Sequence, residues 1–268
     1  MVSESMTEVR RYANFGNEVY DMMPTYFKVK CNSIKMLEAR GYAIPAEEIA
    51  YLPSGLAQCI SSSDYFSNYQ EYKAKMEYFS NYYRSMQDSN HRSFAMNMSQ
   101  VYVHKDGHHR YVTFIEAATK GKKVLTDDLT LAIAIINRSA GGPQGLVNSK
   151  VTFVVPTSIK AVDISSMDIA HLDYEIFTHD YLIVDAVNHS FSSTYRLLTN
   201  EEASEFYGRN KILPSQLPIF TSNDPIVRYY GWKAGDLILI GRMNASTEGS
   251  VTVSTYYRLV SPHIYERK

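Results

Sequence analysis

An α+β chain is expected from three observations. Short runs of strand character alternate with helical stretches through the first two thirds of the sequence. The last third holds a small unit in which one short helix precedes two adjoining strands. Gly, Pro, Asn and Asp punctuate both parts at the ends of these elements. A chain of 268 residues can hold one large or two modest domains. We expect two: residues 1–180 as an α/β domain with a mixed sheet, and residues 181–268 as a small α+β domain.

Composition narrows the function classes. Apolar residues make up 45% of the chain and the formal net charge is −1. That excludes a disordered chain, and it excludes a polycation whose charge alone would call for nucleic acid. Cys31 and Cys59 are the only cysteines. They offer neither a disulfide framework nor zinc-ligand spacing, so they read as reduced thiols. No membrane span and no secretory leader is expected, because no run of about eighteen apolar residues occurs.

The elements follow in order. Residues 1–18 are polar and read as a loosely held start. Thr25 to Arg40 reads as a helix, with Phe27, Cys31, Ile34 and Leu37 at helical spacing and Gly41 closing it. Glu47-Glu48-Ile49 begins a second, short helix. Residues 53–100 are rich in Ser, Asn, Tyr and Met. A helix from Ser63 to Met86 carries an aromatic stripe through Tyr65, Phe66, Tyr69, Tyr72, Met76, Phe79, Tyr82 and Tyr83, and a loop follows. Such a stripe could stack on bases; packing is the favoured reading. Val101–His104 and Arg110–Ile115 read as strands joined by an Asp106-Gly107 turn. Thr126 is placed to cap a helix over Asp127–Asn137 with Leu129, Ile133 and Ile136 facing inward. After a Gly/Pro loop over 139–145 come a strand at Val151–Val155, a short helix near Ser165–His171 and a strand from Tyr174 to Ala186.

Residues 212–260 are the most informative stretch. Gln216-Leu217-Pro218 is an extended lead-in. Asn223 or Asp224 caps a helix, with Pro225 where the missing N–H is harmless, and Gly231 ends it. Lys233–Asp236 is a turn, and Leu237–Ile240 is a continuously apolar strand. Gly241–Ser250 reads as a polar loop and Val251–Val260 as a second strand with alternating character.

The ordered set Leu217-Pro218, Asp224-Pro225, Arg228-Tyr229-Tyr230-Gly231, Lys233, Gly235, Arg242 and Tyr257-Arg258-Leu259-Val260 resembles the C-terminal domain of the fifth subunit shared by eukaryotic RNA polymerases I, II and III, and the archaeal counterpart of that domain. Further matches support it. Arg40-Gly41-Tyr42 closes the first helix as the family's does. Thr199-Asn200-Glu201-Glu202 resembles the family's Thr-Lys-Glu-Glu and makes a capping box; its helix should bury Ala203, Phe206 and Tyr207 and stop at Gly208. Residues 53–100 have no close counterpart and read as divergent or inserted. Tyr195 stands where the family has a second histidine after His189, Ser193 replaces a proline, and the loop at 244–250 is longer. These departures point to a distant member, of the kind that a large DNA virus could encode.

The resemblance carries implications. The N-terminal domain would be the polymerase's lower jaw, beside downstream duplex DNA and touching it weakly through phosphates. The C-terminal domain would assemble on the largest subunit, with Asp224, Pro225, Arg228, Tyr229, Lys233, Arg242 and Arg258 at that interface. Work in transcription would place the chain in the nucleus if cellular, or in the host cytoplasm and virion if viral.

No catalytic constellation is visible. No G-x-S-x-G or phosphate-loop motif occurs, and Gly141–Gly145 lacks the lysine. The family's jaw resembles a nuclease fold, but Glu116 on its strand lacks a second acid nearby, and Lys120, Lys122 and Lys123 read as a solvated run. His104, His108 and His109 read as a solvated turn that does not converge on a metal. No catalytic residue, metal or cofactor is therefore expected. A nuclease and a free-standing polymerase-binding adaptor remain the alternatives.

Overall fold

The structure, a computed structural model, describes residues 22–53, 62–90, 94–115, 126–141, 146, 149–156, 172–185, 187, 193–245 and 251–262. The polar start, the helix near 165–171, Glu116, Lys120, Lys122, Lys123, Cys59 and His189 lie outside them.

Helix α1 (Met22–Ala39) is the axis of the first half. Phe27, Cys31, Ile34 and Leu37 are buried as the spacing predicts, and so are Val29, Lys30, Ser33 and Met36. A single apolar stripe understates this helix, because it is covered on most sides. Burial pushes the Cys31 thiol up to about 12. After α1 and a short α2 (Ala46–Ile49), α3 runs over Ser62–Asn90. It lays Tyr72 and Phe79 edge-on against Phe27. Tyr72, Phe79 and Tyr83 are thus buried packing residues, unavailable to a base. The helix continues past Met86, and a further turn, α4 (Phe94–Asn97), occupies part of the expected loop.

Four strands form the first sheet: β1 (Gln100–Val103), β2 (His109–Phe114), β3 (Lys150–Val155) and β4 (Asp173–Thr178), in that spatial order. The β1–β2 pair is antiparallel; β2–β3 and β3–β4 are parallel. The hairpin turns at Gly107, whose φ of +86° suits glycine. Helix α5 (Thr126–Ser139) packs Leu129, Ala132 and Ile136 on one face, against Val151, Phe153 and Val155. Val112, Phe114, Val154 and Phe177 join the core of α1 and α3 on the other. Both faces of β3 are covered, hence its near-continuous apolar run. The expected strand over Tyr174–Ala186 stops early. At Thr178 the chain turns into α6 (His179–Leu182), which seats His179 and Leu182 in the core.

The second sheet is ordered β5-β7-β8-β6. It comprises β5 (Thr194–Leu197), β6 (Ile219–Thr221), β7 (Leu237–Ala245) and β8 (Val251–Ser261). β7 pairs antiparallel with β5 and β8, while β6 adds parallel to β8. Four strands would hold the two edges about 14 Å apart if flat. The side chains close that gap: the rings of Tyr195 on β5 and Phe220 on β6 lie 6.5 Å apart. Strand β6 was not foreseen: three residues after a proline are too few to show a period. β7 also runs through Gly241 to Ala245, five residues into the expected loop.

Helix α7 (Asn200–Asn210) opens with the capping box at Thr199 and Glu202. It passes Gly208, where glycine costs only about 1 kcal/mol, and closes at Lys211 with φ +53°. Ala203, Phe206 and Tyr207 are only half-buried. Phe206 stacks on Tyr257 at 4.1 Å. A turn of 3₁₀ helix at Pro214–Gln216 precedes the Leu217-Pro218 lead-in. Helix α8 (Pro225–Tyr230) connects β6 to β7.

Candidate functional site

The signature segment is built as its residues dictate. The Asp224 carboxylate accepts from the Ile226 N–H at 2.9 Å, Pro225 takes the first turn, and Gly231 closes α8 with φ +69°. Six residues make a weak helix on their own, and the first half of the chain holds it. Arg40, just past α1, donates from Nη2 to the Arg228 carbonyl at 2.5 Å and from Nε to the Tyr229 carbonyl at 2.9 Å. A cation thus covers the helix's exposed carbonyls. A Cβ at Gly231 would stand 3.4 Å from Arg40 Nε, so glycine gives the guanidinium room.

Arg228 reaches back across the same junction. Its Nη2 donates to the Ile176 carbonyl at 2.5 Å, and its guanidinium lies 4.6 Å from the Phe177 ring and 4.9 Å from that of Tyr181. The Tyr181 hydroxyl donates to the Pro225 carbonyl. Tyr229 is 8% exposed and belongs to the core around α1. The resemblance implied a partner surface for Arg228 and Tyr229; the structure engages both within the chain.

Arg40 also anchors an ion network that the sequence did not disclose. Its Nη1 donates to Glu175 Oε1 at 2.6 Å. Arg110 donates to the same oxygen and, from Nε, to the Tyr42 hydroxyl. Thr152 Oγ1 donates to Glu175 as well. Register explains the grouping: Arg110, Lys150, Thr152, Asp173 and Glu175 lie on one face of neighbouring strands. Burial pushes the Glu175 carboxyl up, but Arg40 and Arg110 outweigh it and hold the group below the usual range. Arg40 is legible as part of Arg40-Gly41-Tyr42; nothing near Glu175 in sequence marks it.

The remaining predicted residues point outward. Lys233, Arg242 and Arg258 are exposed. Arg242 and Arg258 line a groove of about 480 Å³ on the second sheet, with Phe206, Phe220, Tyr256 and Tyr257. Arg258 lies 4.9 Å over the Phe220 ring and Arg242 5.7 Å over Tyr256. Tyr256, Ile219 and Val253 are exposed apolar side chains on this sheet. A groove of rings with two outward guanidinia suits a protein partner, since aromatic residues and arginine dominate such surfaces.

His104, Asp106 and His108 need a correction. The hairpin brings their ligand atoms within 4.8 Å of one another, because His104 and His108 face each other across it. Alternation along the strand separates the adjacent His108 and His109, whereas His104 and His108 stack at 4.3 Å. Yet the ring nitrogens of His104 are engaged: Nε2 donates to the Arg40 carbonyl at 3.0 Å and Nδ1 accepts from the Asp106 N–H at 3.2 Å. The Tyr42 hydroxyl accepts from Arg110 Nε at 2.9 Å and is hydrogen-bonded to His108 Nε2 at 3.0 Å, so both neighbours engage it. Burial and then His104, Lys150 and Arg110 hold His108 below the ordinary histidine range. A cation placed there would meet a positive field.

Comparison with known proteins fits this geometry. Residues 184–260 match the family model described as RNA polymerase Rpb5, C-terminal domain. The Sulfolobus acidocaldarius protein named DNA-directed RNA polymerase subunit Rpo5 is 36% identical over 69 residues, 26% of this chain and 82% of that protein. The chain belongs to the RNA polymerase Rpb5 family. Its Dictyostelium discoideum relative, named DNA-directed RNA polymerases I, II, and III subunit rpabc1, is 36% identical over 85 residues, 32% of this chain and 41% of the relative. This chain thus spans well under half of that relative. The Arabidopsis thaliana DNA-directed RNA polymerase subunit 5-like protein 1 aligns at 20% identity over 231 residues, 86% of this chain and 95% of the relative. The family-model match covers the C-terminal residues 184–260, while the alignment over most of the chain is at only 20% identity.

Proposed function

We propose that this chain is a non-catalytic subunit of a multisubunit DNA-directed RNA polymerase. Its relatives carry polymerase-subunit names, and the match to the C-terminal domain over residues 184–260 carries the reading. In this reading the C-terminal unit, 181–268, docks on the largest subunit through the groove bearing Arg242 and Arg258, whereas Lys233 lies away from that groove, on the cleft that Arg40 and Arg110 line. Asp224 and Pro225 set the helix that joins this unit to the rest. The N-terminal unit, 1–180, serves as the lower jaw and meets downstream duplex through phosphates alone. Nucleotide addition and its metals belong to other subunits.

Purification of the tagged chain from its native source tests this. The full set of large polymerase subunits should appear in equal molar amount with it. A substoichiometric polymerase would favour a free-standing adaptor. The isolated chain should bind duplex DNA weakly and lose it with rising salt. Mg²⁺-dependent cleavage of duplex DNA by the isolated chain would instead favour a nuclease.

A further inference from the structure

We infer that the cleft between the two halves of the chain binds a compact phosphate anion of about the size of pyrophosphate. The cleft has a volume of about 380 Å³ and lies beside the Arg40–Glu175–Arg110 network. Four permanent cations line it, Arg40, Arg110, Lys150 and Lys233, against two carboxylates, Asp173 and Glu175. Glu175 is already shared by both arginines and Thr152. Among the described residues, neither Lys150 nor Lys233 makes an ion pair or a side-chain hydrogen bond through its ammonium. Arg110 is 6% exposed, and its Nη2 makes no hydrogen bond to a described residue. Two unpaired ammoniums and an unused guanidinium edge thus converge on one concave space.

The field in the cleft has a direct sign. Burial, then Arg110 and Lys233, hold the Lys150 ammonium below the ordinary lysine range. His108 is lowered by burial and then by cationic neighbours. Each group is destabilised by like charge that an anion would relieve. Arginine forks and lysine point charges are the donors that phosphate oxygens use. Size and depth select among anions. The arginines sit almost buried at the back, so a ligand must enter to meet them. Lys233 is exposed and Lys150 half-buried, so these two are the more accessible donors. This site is separate from the outward groove of the second sheet, and it stands whether or not the chain assembles with a polymerase.

Titration calorimetry on the full chain tests it, with inorganic pyrophosphate as the probe at physiological salt. One saturable site is expected, at least tenfold tighter for pyrophosphate than for sulfate. The double variant Lys150→Gln/Lys233→Gln should weaken it at least tenfold while melting like the parent, because neither ammonium bonds a described residue. An ATP arm separates sources: tighter than pyrophosphate identifies a nucleotide's phosphates, weaker identifies the free anion, and both uphold the site. Absence of saturable binding, binding within twofold in the double variant, or preference for a hexaglutamate peptide or Zn²⁺ over pyrophosphate overturns it.

Discussion

Arg228 and Arg258 belong to the same short signature, yet the fold gives them opposite duties. Arg228 lies against Phe177 and Tyr181 and bonds the Ile176 carbonyl, 52 positions back in the sequence. Arg258 lies over Phe220 on an open sheet surface with its charge toward solvent. The inner side of this unit joins the chain to itself; the outer side leaves Tyr256, Arg242 and Arg258 exposed. The signature therefore mixes residues that hold the fold with residues that the fold leaves exposed. Only the geometry sorts them.

If the inner side is structural, its loss must register as stability. Arg40→Ala carries the largest expected effect. It removes the Arg40 donors from two carbonyls of α8, of which Arg228's keeps the 3.2 Å bond from the Gly231 N–H, and gives Glu175 one guanidinium fewer. Breaking such a largely buried network should cost roughly 3–5 kcal/mol, read as a shifted denaturant midpoint. A shift below about 1 kcal/mol would show that the junction is weaker than drawn.

Acid should loosen the same side. His179 is buried against Tyr26, 5.6 Å between ring centroids, and burial lowers it to about 4. An unfolded histidine titrates near 6.5, about 2.5 units higher. The unfolded chain therefore takes up the proton first as pH falls. Stability is full above about 6.5, erodes between there and about 4, and loses at most roughly 3 kcal/mol. His108, also lowered, acts in the same direction. Glu175, held low, adds its own loss only below the ordinary carboxylate range. Denaturant midpoints from pH 7 to 5 should show this slope in the parent and a much flatter one in His179→Leu. Equal slopes would remove His179 from the account.

Arg228→Gln should cost less, about 1–2 kcal/mol, for one charged hydrogen bond and two ring contacts. Arg258→Glu should be the mildest, within about 0.5 kcal/mol, because a surface charge carries little stability. Thermal melts of the pair check the order, and a reversed order would exchange the roles given to the two arginines.

Much of this fold was legible in the chain. The helix over 25–40, the Gly107 hairpin, the capping box at Thr199 and the Asp224–Gly231 helix all rest on local signals, and local signals survive in sequence. What was missed depends on partners far away along the chain. Lys30 lies outside the apolar spacing of Phe27, Cys31, Ile34 and Leu37. It is fully buried, and it donates to Glu48, the Tyr102 hydroxyl and the Met98 carbonyl at 2.7–2.9 Å. Glu175 gathers Arg40 and Arg110 from 135 and 65 positions away. No spacing rule reaches that far. The same holds at the candidate site, where the signature named Arg228 and Arg258 together and could not say which way either would face.

The decisive measurement is retention of the chain by the largest polymerase subunit when the outer charges are reversed. Co-expression and affinity capture of Arg242→Glu/Arg258→Glu, with the melting temperature of the free variant taken alongside, isolates the groove from the fold. The account predicts an unchanged melt and capture reduced at least tenfold. Full capture of the doubly reversed chain, or no capture of the parent, would contradict it.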